Sequence, residues 1–204
     1  GGGIESDGAG TLLTTESVLV EPNRNAGVDD AVLREHLMEI LGGKRLLALE
    51  NGGLEGDDTD GHIDTLARFL SPETIAYVGC EDTHDDHYHP LRRMREELEA
   101  YRTLEGEPYK LVELPLPPAI YDEEGQRLPA TYANFLFVNG ALLVPTYGVP
   151  TDEVALERLR QALPDRAVVG VDSRALIYQH GSLHCATMQF PRGFVNKNKW
   201  SDDE

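Results

Sequence analysis

The stretch Gly56–Asp64 reads Gly-Asp-Asp-Thr-Asp-Gly-His-Ile-Asp, a run of carboxylates ending on an imidazole and one more carboxylate. Asp and Gly both disfavour a helix interior, and the acids would repel one another there. The stretch is therefore expected to be a loop that delivers His62 and Asp64 to the start of a strand over Thr65–Leu70. Residues two apart on a strand share a face, which would set one imidazole beside one carboxylate. Such a pair suits proton transfer at a positively charged group. The plain alternative is an acidic surface turn with an incidental histidine.

A second chemical centre lies far downstream at Cys185, in Gly181-Ser182-Leu183-His184-Cys185-Ala186-Thr187. A preceding glycine permits close backbone approach, and a neighbouring imidazole or helix end can favour the thiolate. The alternative is a buried structural cysteine. Cys80 fits that alternative, because it ends an apolar strand beside acids that would raise its pKa. His84, His87 and His89, interleaved with acids, suit a metal-binding loop by ligand type, but a solvated acidic loop is the better reading of their spacing. Asn134, at a strand entry, could orient a ligand or cap a turn.

The elements that must carry these residues follow a repeated order. Thr11–Thr15 and Ser17–Val20 read as short strands, Asp29 or Asp30 caps a helix to about Leu41, Gly42-Gly43 ends it, and Arg45–Leu49 is a strand. Thr65–Leu70, Thr74–Gly79, a helix from Pro90 to about Tyr101 and Lys110–Leu114 form a second round. Asn134–Val138, the turn Asn139-Gly140, Ala141–Pro145, a helix over Asp152–Leu163 capped by Thr151, and Ala167–Val171 form a third. A fourth round is expected to begin near His184–Phe190. The hairpins argue against a doubly wound sheet, and a supersecondary unit so repeated suggests an array in which units bury their apolar faces against neighbours.

The 204 residues carry 36 acidic against 18 basic side chains, a formal net charge of −18. That balance argues against nucleic acid or an anionic membrane as partner, since both need a basic footprint. A small cationic substrate would be attracted. Two cysteines are too few for a disulfide framework, so a reducing cytoplasm is the expected compartment.

The chain resembles the agmatine deiminase and bacterial peptidylarginine deiminase-like family of the pentein superfamily. The resemblance is carried by Gly56–Asp64, Thr131-Tyr132-Ala133-Asn134-Phe135, His184-Cys185-Ala186-Thr187, Thr11–Thr15 and Asn23-Arg24-Asn25. It implies an α/β fold of ββαβ modules in a five-fold pseudosymmetric propeller, of which residues 1–192 would supply about three, followed by a polar tail over 193–204. It implies Cys185 as nucleophile, His62 as general acid and base, and Asp64, with Asn134, as substrate-binding residues. His184 is then a packing or supporting residue. No cofactor and no metal is implied. The expected reaction is hydrolysis of agmatine to N-carbamoylputrescine and ammonia, a step of polyamine metabolism. The alternatives are peptidyl- or free-arginine deimination, or a non-catalytic guanidine-binding or assembly module. The family's upstream half adds a second guanidinium-binding aspartate and a glutamate for the histidine, and that glutamate would stand immediately before a glycine pair among Gly1–Gly3. A missing N-terminal segment or a homo-oligomer is therefore expected, with the short chain inactive alone.

Overall fold

The computed structural model describes residues 1–190 and Phe194, so the expected tail over 193–204 lies almost wholly outside the described residues. Three three-stranded sheets follow one another, each with one antiparallel and one parallel pair. The first joins β1 (Glu5–Ser6), β2 (Thr11–Thr15) and β3 (Arg45–Leu49). The second joins β4 (Ala67–Ser71), β5 (Thr74–Gly79) and β6 (Lys110–Pro115), and the third β7 (Leu136–Val138), β8 (Ala141–Thr146) and β9 (Ala167–Asp172). In each round a helix precedes the parallel strand: α3 (Asp30–Leu41), α4 (Tyr88–Ala100) and α5 (Thr151–Ala162), while α1 (Glu16–Val20), α2 (Pro22–Asn25) and α6 (Arg174–Ile177) are single turns or little more.

The ββαβ order is thus present three times, with a different partner for β2 from the one expected. Ser17–Val20 is helical: Thr15 is its N-cap and accepts the Val18 N–H at 3.4 Å. The strand that pairs antiparallel with β2 is the two-residue β1. Two further expectations are corrected. Thr151 is the first helical residue, and the cap chemistry belongs to Asp152, whose carboxylate accepts the N–H groups of Tyr147, Gly148 and Val149 at 3.1, 2.8 and 3.1 Å. His184–Phe190 is no strand among the described residues; turn bonds from Ala186 N–H to Ser182 O and from Thr187 N–H to His184 O curl it instead.

Two apolar clusters form the core, and each spans neighbouring rounds. Leu13 and Leu49 of the first sheet pack with Ile75 and Tyr77 of β5 and with Leu91, Met94 and Leu98 of α4. Ala76 of β5 and Leu114 pack with Leu142 and Val144 of β8 and with Ala155, Leu156 and Leu159 of α5. The middle sheet is therefore buried on both faces, as strand alternation allows. Helices α4 and α5 lie between their own sheet and the one before. Helix α3 buries none of its residues, and Val32, Ile40 and Leu41 are exposed. No helix among the described residues is long and apolar enough to cross a membrane.

Candidate active site

The acidic loop is built by its own side chains. Asp57 accepts the N–H groups of Thr59 and Gly61 at 3.2 and 3.0 Å, and Asp60, held in the left-handed region at φ 65°, pairs with Arg24 at 3.3 Å. Thr15 Oγ1 donates to Gly61 O at 2.8 Å, fixing the turn against β2. His62 and Asp64 do not enter a strand. They flank Ile63 in a one-turn 3₁₀ helix, Ile63–Thr65, of which His62 is the N-cap, and β4 begins only at Ala67. Their approach comes from that tight turn and not from strand alternation, because the Gly- and Asp-rich run defers the extended backbone.

Both residues line one cavity of about 890 Å³ together with Cys185, His184, Glu5, Arg68 and the Gly1-Gly2 backbone. Asp64 is buried, its N–H donates to Gly2 O at 3.1 Å, and its Oδ2 accepts from His184 Nδ1 at 2.7 Å and from the Cys185 thiol at 3.6 Å. Asp64 Oδ1 is buried without a partner among the described residues. A Cβ on Gly2 would lie 2.5 Å from Asp64 Oδ2, so only glycine allows that turn to pass the carboxylate. His62 Nε2 is likewise buried and unpartnered, and would be 3.5 Å from a Cβ on Gly3.

Asn134 is fully buried and does not line the cavity. Its Oδ1 accepts the N–H groups of His184 and Cys185 at 2.8 and 3.3 Å, and its Nδ2 donates to Asp64 O and Cys185 Sγ, both at 3.3 Å. It holds the aspartate and the cysteine together, where a ligand contact was expected. His184, expected to pack or to support the site, bonds directly to Asp64.

The electrostatics run against a free thiolate. Burial and the Asp64 carboxylate push the Cys185 thiol up from its ordinary value. Because the residue is open to the cavity, water weakens the burial contribution and the adjacent carboxylate is the firmer cause. The neighbouring imidazole of His184 directs its Nδ1–H to Asp64 and not to the sulfur. Burial pushes His62 below its ordinary value despite the opposing charge of Asp64. Both shifts favour the uncharged forms, the thiol of Cys185 and the neutral imidazole of His62. Nearby, Arg68 donates to Glu5 at 2.6 Å and to Phe135 O at 2.8 Å, and burial outweighs Arg68 in raising the Glu5 carboxyl.

The other singled-out residues lie apart. Cys80 is partly buried against the first core cluster, and burial, with Asp85 and Asp82, pushes its thiol up. The three histidines of the 84–89 segment diverge. His84 is exposed beside Asp82, His89 packs edge-on to Tyr88, and buried His87 bonds to Asp85 at 2.6 Å. Among the described residues no group of three or more His, Cys, Asp or Glu side chains converges as a metal site would.

Comparison with known proteins accords with this geometry. A crystal structure from Porphyromonas gingivalis, described as a "Putative Arginine Deiminase", is 56% identical, with TM-score 0.93 over 96% of this chain and 57% of that one. A cysteine-to-serine variant of C. jejuni agmatine deiminase with substrate bound is 48% identical, with TM-score 0.85 over 90% of this chain and 53% of that one. A curated relative from Vibrio parahaemolyticus, named "Putative agmatine deiminase", is 35% identical over 94% of this chain and 57% of its own length. The chain thus spans little more than half the length of the relatives it matches. Residues 1–191 match the model of the Porphyromonas-type peptidyl-arginine deiminase family, and the chain belongs to that family.

Proposed function

We propose that this chain carries the nucleophile and the acid–base half of a deiminase that hydrolyses agmatine to N-carbamoylputrescine and ammonia, as part of an α/β-propeller of ββαβ modules. The observation that carries the reading is the convergence of Cys185, Asp64 and His62 on one cavity, with Sγ 3.6 Å from the Asp64 carboxylate.

The reaction follows from the charges. A guanidinium is planar and can donate N–H to Asp64 Oδ1, the buried oxygen left without a partner. Its arrival offsets the negative charge that holds the thiol protonated, so sulfur becomes a better nucleophile only when substrate is bound. The S–H proton passes to neutral His62 as sulfur bonds to the guanidinium carbon. His62 returns that proton to the departing nitrogen, the C–N bond breaks, and ammonia leaves an amidino-thioether cation. Water then adds to the same carbon with its proton taken by His62. As the C–S bond breaks, the hydroxyl proton of the adduct passes to sulfur, the neutral ureido group is released, and His62 gives up its proton to the departed ammonia, which leaves as ammonium.

Agmatine is favoured over arginine by the cavity wall. Among the described residues Arg68 is the one guanidinium or ammonium side chain lining it, and Glu5 and two backbone carbonyls engage it. Among the described residues an α-carboxylate would meet Glu5 and Asp64 with no disengaged side-chain guanidinium or ammonium. Unpartnered His62 Nε2, beside Gly3, and the exposed apolar side chains of α3 support completion of the site and of the module stack by further protein. The test is ammonia release from agmatine and from arginine, using this chain alone and a version extended to the full length of its relatives. Turnover by the extended version that survives Cys185→Ser would overturn the mechanism.

A further inference from the structure

The loop that carries His62 and the segment that carries Cys185 meet at a second point, outside the cavity. His180 Nδ1 lies 2.8 Å from Gly56 O, and because a carbonyl only accepts, that nitrogen carries the proton. Gly56 is six positions before His62, and His180 is five before Cys185. His180 stands in the left-handed region at φ 58°, an unfavourable conformation for a residue with a Cβ, just past α6. The strain is retained where glycine would remove it, and what the side chain supplies there is this one bond.

The same turn is gripped from its other side. Glu55 N–H donates to His87 Nε2 at 2.8 Å, and His87 Nδ1 is held by Asp85, which binds Arg127 through both oxygens at 3.0 and 2.8 Å. Gly56 is pressed against that support, since a Cβ there would lie 2.2 Å from Arg127 O. The Glu55-Gly56 turn is thus anchored to the middle of the chain by His87 and tied to the nucleophile segment by His180.

We propose that His180 is a positioning residue, a bolt that sets the distance between the Cys185 segment and the loop presenting His62. The consequence for turnover rests on the deiminase reading, whereas the bolt itself does not. Asp64 has independent ties to Cys185 through Asn134 and His184, so loss of the bolt should let His62 drift while cation binding persists.

Two substitutions separate the bond from the backbone. His180→Gly relieves the left-handed strain and deletes the donor. His180→Asn tolerates the same backbone and places an amide N–H where Nδ1–H was. Hydrogen exchange is followed at the bonded amides of Glu55, Asp57, Thr59, Gly61 and His62, and kcat and KM for agmatine are followed in the chain extended to the relatives' length. His180→Gly should speed exchange of those amides at least about fivefold with α5 unchanged. It should also lower kcat about tenfold with KM within about twofold, and His180→Asn should restore both most of the way. Unchanged exchange in His180→Gly overturns the bolt whatever the activity. Faster exchange with unchanged kcat, or no rescue by His180→Asn, overturns the positioning role. If the unsubstituted enzyme releases no ammonia from agmatine, the deiminase reading falls, and exchange still decides whether His180 holds the loop.

Discussion

Replacing Asp64 with asparagine should make Cys185 more reactive toward neutral reagents while lowering its preference for cationic ones. The thiol sulfur stands 3.6 Å from Asp64 Oδ2. At that separation two unit charges repel by about 1.2 kcal/mol in bulk water and about 4.6 kcal/mol at an effective dielectric of 20. Cys185 is open to the cavity, so the true figure lies toward the water limit, about 1–2 kcal/mol, or about a five- to thirtyfold change in thiolate population. Asp64→Asn removes that repulsion, and iodoacetamide should alkylate Cys185 faster by about this factor at fixed pH below the thiol pKa. Chloroacetamidine carries a cation that needs the carboxylate, and losing a charge-assisted bond forfeits about 1.5–3 kcal/mol. The ratio of amidine to amide rates should therefore fall about ten- to hundredfold. Adduct formation at Cys185 and Cys80, followed by mass spectrometry, gives both rates with an internal control. Slower labelling by iodoacetamide in Asp64→Asn would refute the assignment of that carboxylate as what keeps the thiol protonated.

Three further outcomes follow from the same contacts. Asn134→Ala strands Asp64 O and the Cys185 N–H, and leaves the His184 N–H only its 3.2 Å bond to the carbonyl of residue 134, a loss of about 3 kcal/mol. It should lower the Tm by about 6–12 °C in calorimetry, and an unchanged Tm would remove the clamp. Arg68→Met leaves Glu5 buried without its partner and should cost about 3–5 kcal/mol in urea unfolding, much of it recovered by adding Glu5→Gln; if the second change recovers nothing, the pair is not what the first one broke. His62 binds its proton less readily folded than unfolded, where the value is 6.5, so its share of stability is present above that pH and is lost as pH falls through the folded value. Urea midpoints measured downward from about pH 7 should fall less steeply in His62→Gln, and parallel curves would contradict the burial of that imidazole.

What could be read from the chain and what could not divide along physical lines. Helix α3 was legible to within a residue because Asp29 caps it, accepting the Ala31 N–H at 3.0 Å, and Gly42 leaves it at φ 67°. Strand β5 was legible in full, since its alternating side chains are sorted into two cores. Strand β1 has two residues and no period to detect, so β2 was paired with Ser17–Val20, whose valines masked a threonine-capped turn. At the site, residue types revealed Cys185, His62 and Asp64, and the resemblance supplied their roles. The holding role of Asn134 and the bond from His184 to Asp64 join positions about fifty to 120 apart, which no local pattern encodes. A left-handed histidine at 180 has no sequence signature either.

The straddling arrangement of the two cores turns the cysteines into clocks for folding. Cys80 packs against the cluster shared by the first two sheets, so its protection from a neutral alkylating agent marks the joining of those two alone. The Cys185 environment needs the amino-terminal glycines, the 3₁₀ turn, the entry to β7 and the segment around Cys185 together, across closures of 51 and 121 positions. Loop-closure entropy grows only slowly with such lengths, so the late step is set less by span than by the number of parts that must already be in place. Protection of Cys80 thus times a partial assembly, whereas Cys185, exposed in the folded chain, reports the later closures through the slowing of its reaction by Asp64.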